Sequence, residues 1–264
     1  MKTIRSLSLL TVLFTAVISI SSCKKDVERS RLTVYLTDAP ADYDEVNIEV
    51  VGIQVKATSD GGENGWQTLP MPVSPVTYNI LEFTNGMEAL LSTVELPAGR
   101  ISQLRLILGE NNTIVENGVT EVLPLEVPSG QESGLKFNIH ADLVAGIEYK
   151  LWIDIEASPS IVEDGNGGHI LKPLIRTFTE ATTGAIKGIV MPADANATVL
   201  ATNGLVTLSA TPDATTGEFL IRGVDPGTWT VTIDGTDPYI DQVFPSIAVT
   251  IGQVTDIGLK TLVQ

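Results

Sequence analysis

The sequence predicts an all-β protein made of two consecutive β-sandwich domains, with one short helix in the first. Apolar and polar residues alternate along many short segments, whereas apolar spacing of the helical kind is nearly absent. Glycine, proline, asparagine and aspartate separate these segments at regular intervals. Many short strands divided by such turns are typical of sandwiches.

The first strands show the alternation clearly. Residues 32–36 and 46–50 each place three apolar side chains on one face of a strand. Gly52 then predicts a bulge ahead of Ile53 and Val55. A glycine-rich turn over 60–65 precedes a short strand at Trp66.

One short helix is predicted over Met87–Ser92. Asn85 can cap it, and Glu88 stands three residues later, as in a capping box. Pro97-Ala98-Gly99 ends that region. Asp164–Gly168 is a predicted hairpin turn. The other strands predicted in this domain cover residues 100–108, 119–127, 135–139, 148–156 and 171–178.

The domain boundaries follow from composition. Residues 1–22 are predicted to be a signal peptide, because Lys2 and Arg5 precede an apolar run that is shorter than a membrane-spanning helix needs. A tether over 23–30 leads to the first domain, residues 31–180. A linker over 181–184 precedes the second domain, residues 185–264, where a new series of strands begins.

The segment Ile20-Ser21-Ser22-Cys23 resembles the bacterial lipobox. The resemblance implies cleavage before Cys23 and lipidation of that residue. Cys23 is the only cysteine, so no internal disulfide can form, and no free thiol remains after acylation. The alternative is an ordinary signal peptide with an incidental cysteine.

The residues after Cys23 bear on localisation. Lys24 favours the outer membrane, since an aspartate there would favour inner-membrane retention. Residues 24–28 resemble the surface-export signals of Bacteroidetes lipoproteins. These features predict an outer-membrane lipoprotein exposed at the cell surface.

The chain is strongly acidic. Its formal net charge is −16, and removal of Lys2 and Arg5 with the signal peptide makes it −18. Such a charge repels nucleic acid, which is excluded as a partner.

Two family resemblances follow from dispersed segments. Four dispersed segments carry the first resemblance: Leu36–Pro40, Leu96–Gly99, Asp154–Ala157 and Leu171–Arg176. They occur in the order found in the bacterial family called domain of unknown function 4382, which residues 31 to about 180 resemble. Glu156 departs mildly, because the family often has aspartate there. The resemblance implies a lipoprotein-borne sandwich and no activity.

The second domain is similar to carboxypeptidase regulatory-like domains of the transthyretin or prealbumin type. The segments that carry this resemblance are Gly184–Val190, Thr216–Phe219 and Gly223–Val231. The resemblance implies a small sandwich with a carbohydrate-binding-like fold. A fold alone does not give a function.

Trp152, Asp154 and Glu156 form the candidate ligand face. They share one face of a predicted strand, where carboxylates two residues apart lie about 7 Å apart. An aromatic ring beside carboxylates suits sugar binding or acid–base chemistry. The alternative is a solvated face, or one covered by the helix predicted at Met87–Ser92.

Other chemistry has weaker support. Asp38, Asp42 and Asp44 crowd one loop and offer the oxygen ligands that Ca²⁺ prefers, but they match no EF-hand and suit a turn equally well. The two histidines are His140, placed at a strand end, and His169, which is predicted to be solvated. No cofactor is expected.

These observations predict a lipid-anchored, non-enzymatic surface binding or structural module. Its expected partners are the membrane, through the anchor, and a glycan or an envelope protein. A glycan-binding accessory protein is the alternative. A hydrolase using Asp154 and Glu156 is a further one.

Overall fold

The computed structural model describes residues 28–38, 40–57, 65–128 and 134–264. The predicted signal peptide, Cys23 and most of the tether lie outside these residues, as does nearly all of the turn predicted at 60–65. None of the helices in the described part of the chain has the length and apolar character that crossing a membrane requires.

The elements that precede Gly184 are mostly short strands. In chain order they are β1 (Arg29–Asp38), β2 (Tyr43–Ala57), β3 (Trp66–Thr68), β4 (Val76–Asn79), a 3₁₀ helix (Ile80–Phe83), β5 (Ala89–Pro97), β6 (Gly99–Leu108), β7 (Thr113–Glu116), β8 (Val122–Glu126), β9 (Leu135–Leu143), β10 (Glu148–Ile155), α1 (Ala157–Ser160), β11 (Ile161–Glu163), β12 (His169–Leu171) and β13 (Ile175–Thr179).

These strands form two sheets around one core. The first sheet has the order β13-β10-β1-β5, with β1 and β10 parallel. The second has the order β11-β12-β8-β7-β2-β6-β9, and β3 and β4 pair with β2. Leu32 and Ile153 from the first sheet and Ile53 and Leu104 from the second are fully buried in the shared core. We call this unit the first sandwich.

From Gly184 onward a second pair of sheets has its own core. Its elements are β14 (Gly184–Met191), a 3₁₀ helix (Ala193–Ala195), β15 (Thr198–Thr202), β16 (Thr207–Ala210), β17 (Glu218–Val224), β18 (Gly227–Asp234), β19 (Gln242–Val249) and β20 (Val254–Thr261). The sheets have the orders β17-β14-β20 and β16-β15-β18-β19. Phe219, Trp229 and Val231 are buried between them. We call this unit the second sandwich.

The predicted all-β fold class is confirmed, and so are several local predictions. β2 shifts register between Val50 and Gly52 in its pairing with β6, which is the predicted bulge. The turn predicted at Asp164–Gly168 joins β11 to β12, and the Asp164 carboxylate accepts hydrogen bonds from the backbone N–H groups of Asn166 and Gly168.

The helix predicted at Met87–Ser92 was wrong. Residues from Ala89 onward form β5, which pairs antiparallel with β1. Leu91 is fully buried while Leu90 is 42% exposed, so the two leucines point to opposite faces of the strand. Asn85 adopts a positive φ of 53° and does not cap a helix. The short α-helix of the first sandwich is α1 instead.

Two other predicted strands differ from the structure in their extent. The segment 119–127 contributes only β8, which follows β7 and a turn at Gly118. The segment 171–178 divides into the end of β12 and β13, because Pro173 has no N–H group with which to continue a ladder.

The two ends of β1 face different parts of the molecule. At its first residue, Arg29 pairs with Pro97, and the turn between β9 and β10 lies beside it. At its last residue, Asp38 borders a cavity that is also lined by Ser209 and Arg222 of the second sandwich. The chain therefore enters the first sandwich at the end opposite the second sandwich.

The burial pattern gives a matched test of the core. Leu104→Ala removes a fully buried side chain from a central strand and should destabilise the protein by about 2–5 kcal/mol. Leu90→Ala, at a 42% exposed position on β5, should stay within about 0.5 kcal/mol. Urea unfolding measures both, and equal losses would contradict this assignment of the core.

Candidate functional site

The strand β10 places Trp152 in a row of three aromatic rings. Tyr35 on β1 and Phe178 on β13 are its register partners. Their ring centroids lie 5.4 Å and 5.5 Å from that of Trp152, in stacked geometry. Trp152 is only 2% exposed. Both faces of the predicted sugar-stacking ring are therefore covered by side chains of the same sheet.

The edge of Trp152 meets a charged pair that crosses between the sandwiches. Its Nε1 donates a hydrogen bond to Glu88 Oε2 at 2.7 Å. Arg222 on β17 donates to the same oxygen through Nη1 at 2.5 Å. The Arg222 guanidinium also lies over the Trp152 ring, 5.5 Å from its centroid. A single carboxylate oxygen thus joins the aromatic row to the second sandwich.

Asp154 is the centre of a second crossing contact. It is 4% exposed, and its Oδ2 accepts hydrogen bonds from Arg176 Nε at 3.2 Å and Nη2 at 2.7 Å. Arg176 also donates from Nη1 to the Gly223 carbonyl oxygen at 2.7 Å and from Nη2 to that of Arg222 at 3.4 Å. One guanidinium therefore neutralises a carboxylate in the first sandwich and holds the backbone of the second.

Gly223 makes this approach possible. It has a φ of +65°, and a Cβ atom there would lie 2.5 Å from Cγ of Phe178. A larger residue would push β17 away from the aromatic row. Asn85, whose side chain donates to the Thr211 carbonyl oxygen, adds a further contact between the sandwiches. We call Glu88, Asp154, Arg176 and Arg222, with the Gly223 carbonyl, the inter-sandwich clamp.

A cavity of about 70 Å³ lies beside the clamp. Asp154 Oδ1 has no hydrogen-bond partner among the described residues. The volume suits a few water molecules, which polar cavities of this size hold, whereas small-molecule pockets typically measure about 300–1,000 Å³. The residues that line it include Asp38, Asn85, Glu156, Ser209 and Arg222.

Glu156 borders the same cavity and is partly buried. Burial raises the pKa of its carboxyl, and the nearby charge of Asp154 raises it further, while Arg176 acts in the opposite direction. The two carboxylates predicted to share a face therefore differ in surroundings, because Asp154 has a direct cationic partner.

The three predicted calcium ligands are not brought together. Asp38 accepts a hydrogen bond from the Ala157 backbone at 3.2 Å. Asp42 instead accepts from the Asn117 side chain, and Asp44 accepts from the Gly118 backbone at 3.0 Å. Across residues 28–38, 40–57, 65–128 and 134–264, no group of three or more His, Cys, Asp or Glu side chains could hold a metal ion.

The prediction that His169 is solvated was wrong. It is 6% exposed on β12, and its Nε2 lies 3.3 Å from Glu116 Oε1. His169 is the first residue of β12, which pairs with β11 on one side and β8 on the other, and its side chain is buried at this position in the sheet. His140 lies within β9, not at a strand end.

Sequence reasoning missed Glu88, Arg176 and Arg222. Arg222 carried a usable signal, since strand alternation points it away from the core face of Phe219 and Ile221. Arg176 carried none that identified its carbonyl partners on β17, because those contacts depend on how the two sandwiches meet.

The clamp gives a prediction with a matched control. Arg176→Met leaves the buried Asp154 carboxylate without its cation and should destabilise the protein by about 3–5 kcal/mol. Arg31→Met breaks the exposed pair with Glu95 and should cost at most about 1 kcal/mol. Denaturant unfolding of both variants measures the difference, and similar losses would refute the role of Asp154.

The raised pKa of Glu156 gives a pH prediction. Since the folded-state pKa lies above its ordinary value of 4.5, the contribution of Glu156 to stability is present below that value and is lost as pH rises through the raised pKa. Glu156→Gln cannot ionise and should gain stability relative to the native chain as pH increases. Thermal unfolding between pH 4 and pH 8 measures this, and a stability difference that does not change with pH would contradict it.

Comparisons with solved structures gave only weak likenesses. GBS52, the minor pilin of Streptococcus agalactiae, is 10% identical with a TM-score of 0.22, covering 88% of this chain and 96% of that one. A putative cell adhesion protein from Bacteroides fragilis is 9% identical with a TM-score of 0.23, covering 88% and 92%. The Bacillus anthracis TIE protein is 12% identical with a TM-score of 0.22, covering 90% of this chain and 35% of that one. This chain thus spans about a third of the TIE chain, and TM-scores this low support no conclusion.

Sequence comparison with families is more informative. No curated protein matches the chain. Residues 29–173 match the family described as Domain of unknown function (DUF4382). The match begins at the first residue of β1 and includes all of β10, with Trp152 and Asp154. Because it covers more than half of the sequence, the chain belongs to the DUF4382 family.

Proposed function

We propose that this chain is a lipid-anchored cell-envelope protein that acts as a non-enzymatic surface binding or structural module. The observation that carries the proposal is the position of Cys23, in its lipobox-like segment, five residues before Glu28. Five residues span at most about 18 Å. The anchor would therefore hold the end of the first sandwich where β1 begins close to the membrane.

The length of β1 determines where an anchor at Cys23 would place the second sandwich. β1 has ten residues and a length of about 33 Å, and its far end borders a cavity that residues of the second sandwich also line. An anchor at Cys23 would therefore place the second sandwich beyond the first, directed away from the lipid. The inter-sandwich clamp would keep it in that position. Such an arrangement suits a protein that presents a domain to a glycan or an envelope protein.

The surroundings of the candidate ligand face favour this role over a hydrolase or a glycan-binding protein acting through that face. Asp154 is paired with Arg176, and the adjoining cavity of about 70 Å³ is smaller than a sugar-binding pocket. Both faces of the Trp152 ring are stacked against other rings. A glycan would have to bind elsewhere, with the second sandwich as the presented surface.

Two finer assignments belong to the proposal. Lys24 supports an outer-membrane location, and the residues after it support exposure at the cell surface. We assign residues 185–264 to the carboxypeptidase regulatory-like, prealbumin-type sandwiches. The two facing sheets of three and four strands that this part of the chain forms are compatible with that assignment.

The anchor is tested by replacing its cysteine. In cells supplied with an alkyne-labelled fatty acid, the native chain should become labelled and sediment with membranes, whereas Cys23→Ser should be unlabelled. Ser22→Ala keeps a small residue before the cysteine and should be labelled like the native chain. A native chain without label, or a labelled Cys23→Ser variant, would refute the proposal.

A further inference from the structure

We propose that the end of the first sandwich where the tether enters is a membrane-apposed surface, with Val144 and Ile147 inserted into the interfacial region of the bilayer. The inference deepens the proposed function and rests on lipidation of Cys23. Its subject is a protein surface that contacts lipid directly, in addition to the acyl chains. We call this surface the tether end.

The turn between β9 and β10 is fixed at the first residues of β1. The Gly146 backbone N–H donates to the Arg29 carbonyl oxygen at 2.8 Å. Ser30 Oγ donates to the Ile147 carbonyl oxygen at 2.6 Å. The turn is therefore held beside the point where the tether joins the folded chain.

The turn exposes two branched apolar side chains. Val144 is 55% exposed and Ile147 is 56% exposed, on either side of Gly146. Single exposed apolar residues are ordinary, but these two lie together within one short turn. Apolar groups at the tip of a turn can enter the headgroup region without burying backbone that has no hydrogen-bond partner.

A groove of about 450 Å³ opens on the same end. It adjoins the tether, since the Ala98 backbone N–H donates to the Glu28 carbonyl oxygen at 2.8 Å. Its lining residues include Leu96, Ile101 and Leu143, which are at most 4% exposed, and the polar residues Gln67 and Arg100. The groove therefore adds little exposed apolar surface, and Val144 and Ile147 are the side chains that would contact lipid.

The charge of the tether end is similar, per residue, to that of the whole chain. The segments 23–30, 95–100 and 142–148 contain four basic and five acidic residues, a net charge of −1 over 21 residues, and the mature chain carries −18 over 242 residues. Arg29 donates to a backbone carbonyl oxygen, that of Glu95, at 3.0 Å. Electrostatic attraction to lipid is therefore not part of the proposal, and the apolar side chains of the turn carry it.

Because the tether already holds the protein at the membrane, weak apolar contacts are sufficient for the tether end to insert. An anchor within about 18 Å of Glu28 keeps the tether end at a high effective concentration near the lipid. Insertion then competes only with local reorientation, not with dissociation. The committed occupant of the surface is thus the bilayer that carries the anchor.

The test uses the full lipidated chain in vesicles of phosphatidylethanolamine and phosphatidylglycerol. Acylation occupies the only native cysteine, so a cysteine introduced by Val144→Cys or Ile147→Cys can be labelled alone with an environment-sensitive fluorophore. Leu205→Cys, at a 93% exposed position in the second sandwich, is the matched control. Nitroxide-labelled lipids should quench the probe at 144 or 147 several-fold more than the probe at 205.

The outcomes separate the two proposals. Vesicle flotation first shows whether the chain is anchored, and a chain that does not float overturns both proposals. A chain that floats, but whose probes at 144, 147 and 205 are equally accessible to aqueous iodide, overturns the membrane-apposed surface alone. Lipid quenching confined to 144 and 147 supports it.

Discussion

The way the two sandwiches meet depends on one buried carboxylate. Asp154 lies on the face of β10 that points away from the first core, and its charge is compensated by Arg176 on the neighbouring strand. A guanidinium has five N–H donors, and Arg176 uses others of them on backbone carbonyl oxygens of β17. Separating the partners of a buried ion pair leaves a buried charge without compensation, which favours the arrangement in which both partners meet. We therefore regard Asp154 and Arg176 as the contact that orients the second sandwich, with Glu88 and Arg222 as its neighbours.

Local patterns predicted the parts of the fold that depend on local sequence. Strand alternation, the bulge at Gly52 and the turn at Asp164–Gly168 follow from side-chain periodicity and from glycine. A helix was predicted at Met87–Ser92 because Asn85 and Glu88 have the spacing of a capping box. The strand conformation of this segment is determined by pairing with β1, more than fifty residues earlier in the chain.

The candidate site depends even more on contacts between distant parts of the chain, which local sequence does not predict. Trp152 and Asp154 lie on the side of β10 away from its core-facing residues, and Glu156 follows the end of the strand. Alternation could not show that this face is covered, since the parallel pairing of β1 with β10 joins residues more than one hundred positions apart. It also could not identify Arg222, which reaches Trp152 from the second sandwich. Side chains of both sandwiches therefore cover this face, and exposed surfaces are found instead on the second sandwich and at the tether end.

The clamp should fix the second sandwich at the end of the first opposite the tether. The most direct measurement is the distance distribution between spin labels at Val144→Cys and Leu205→Cys, in a Cys23→Ser background, by pulsed electron paramagnetic resonance. A clamp that fixes the two sandwiches should give one narrow distribution, which broadens when Arg176→Met and Arg222→Ala are introduced together. A broad or multiple distribution in the chain with an intact clamp would contradict it.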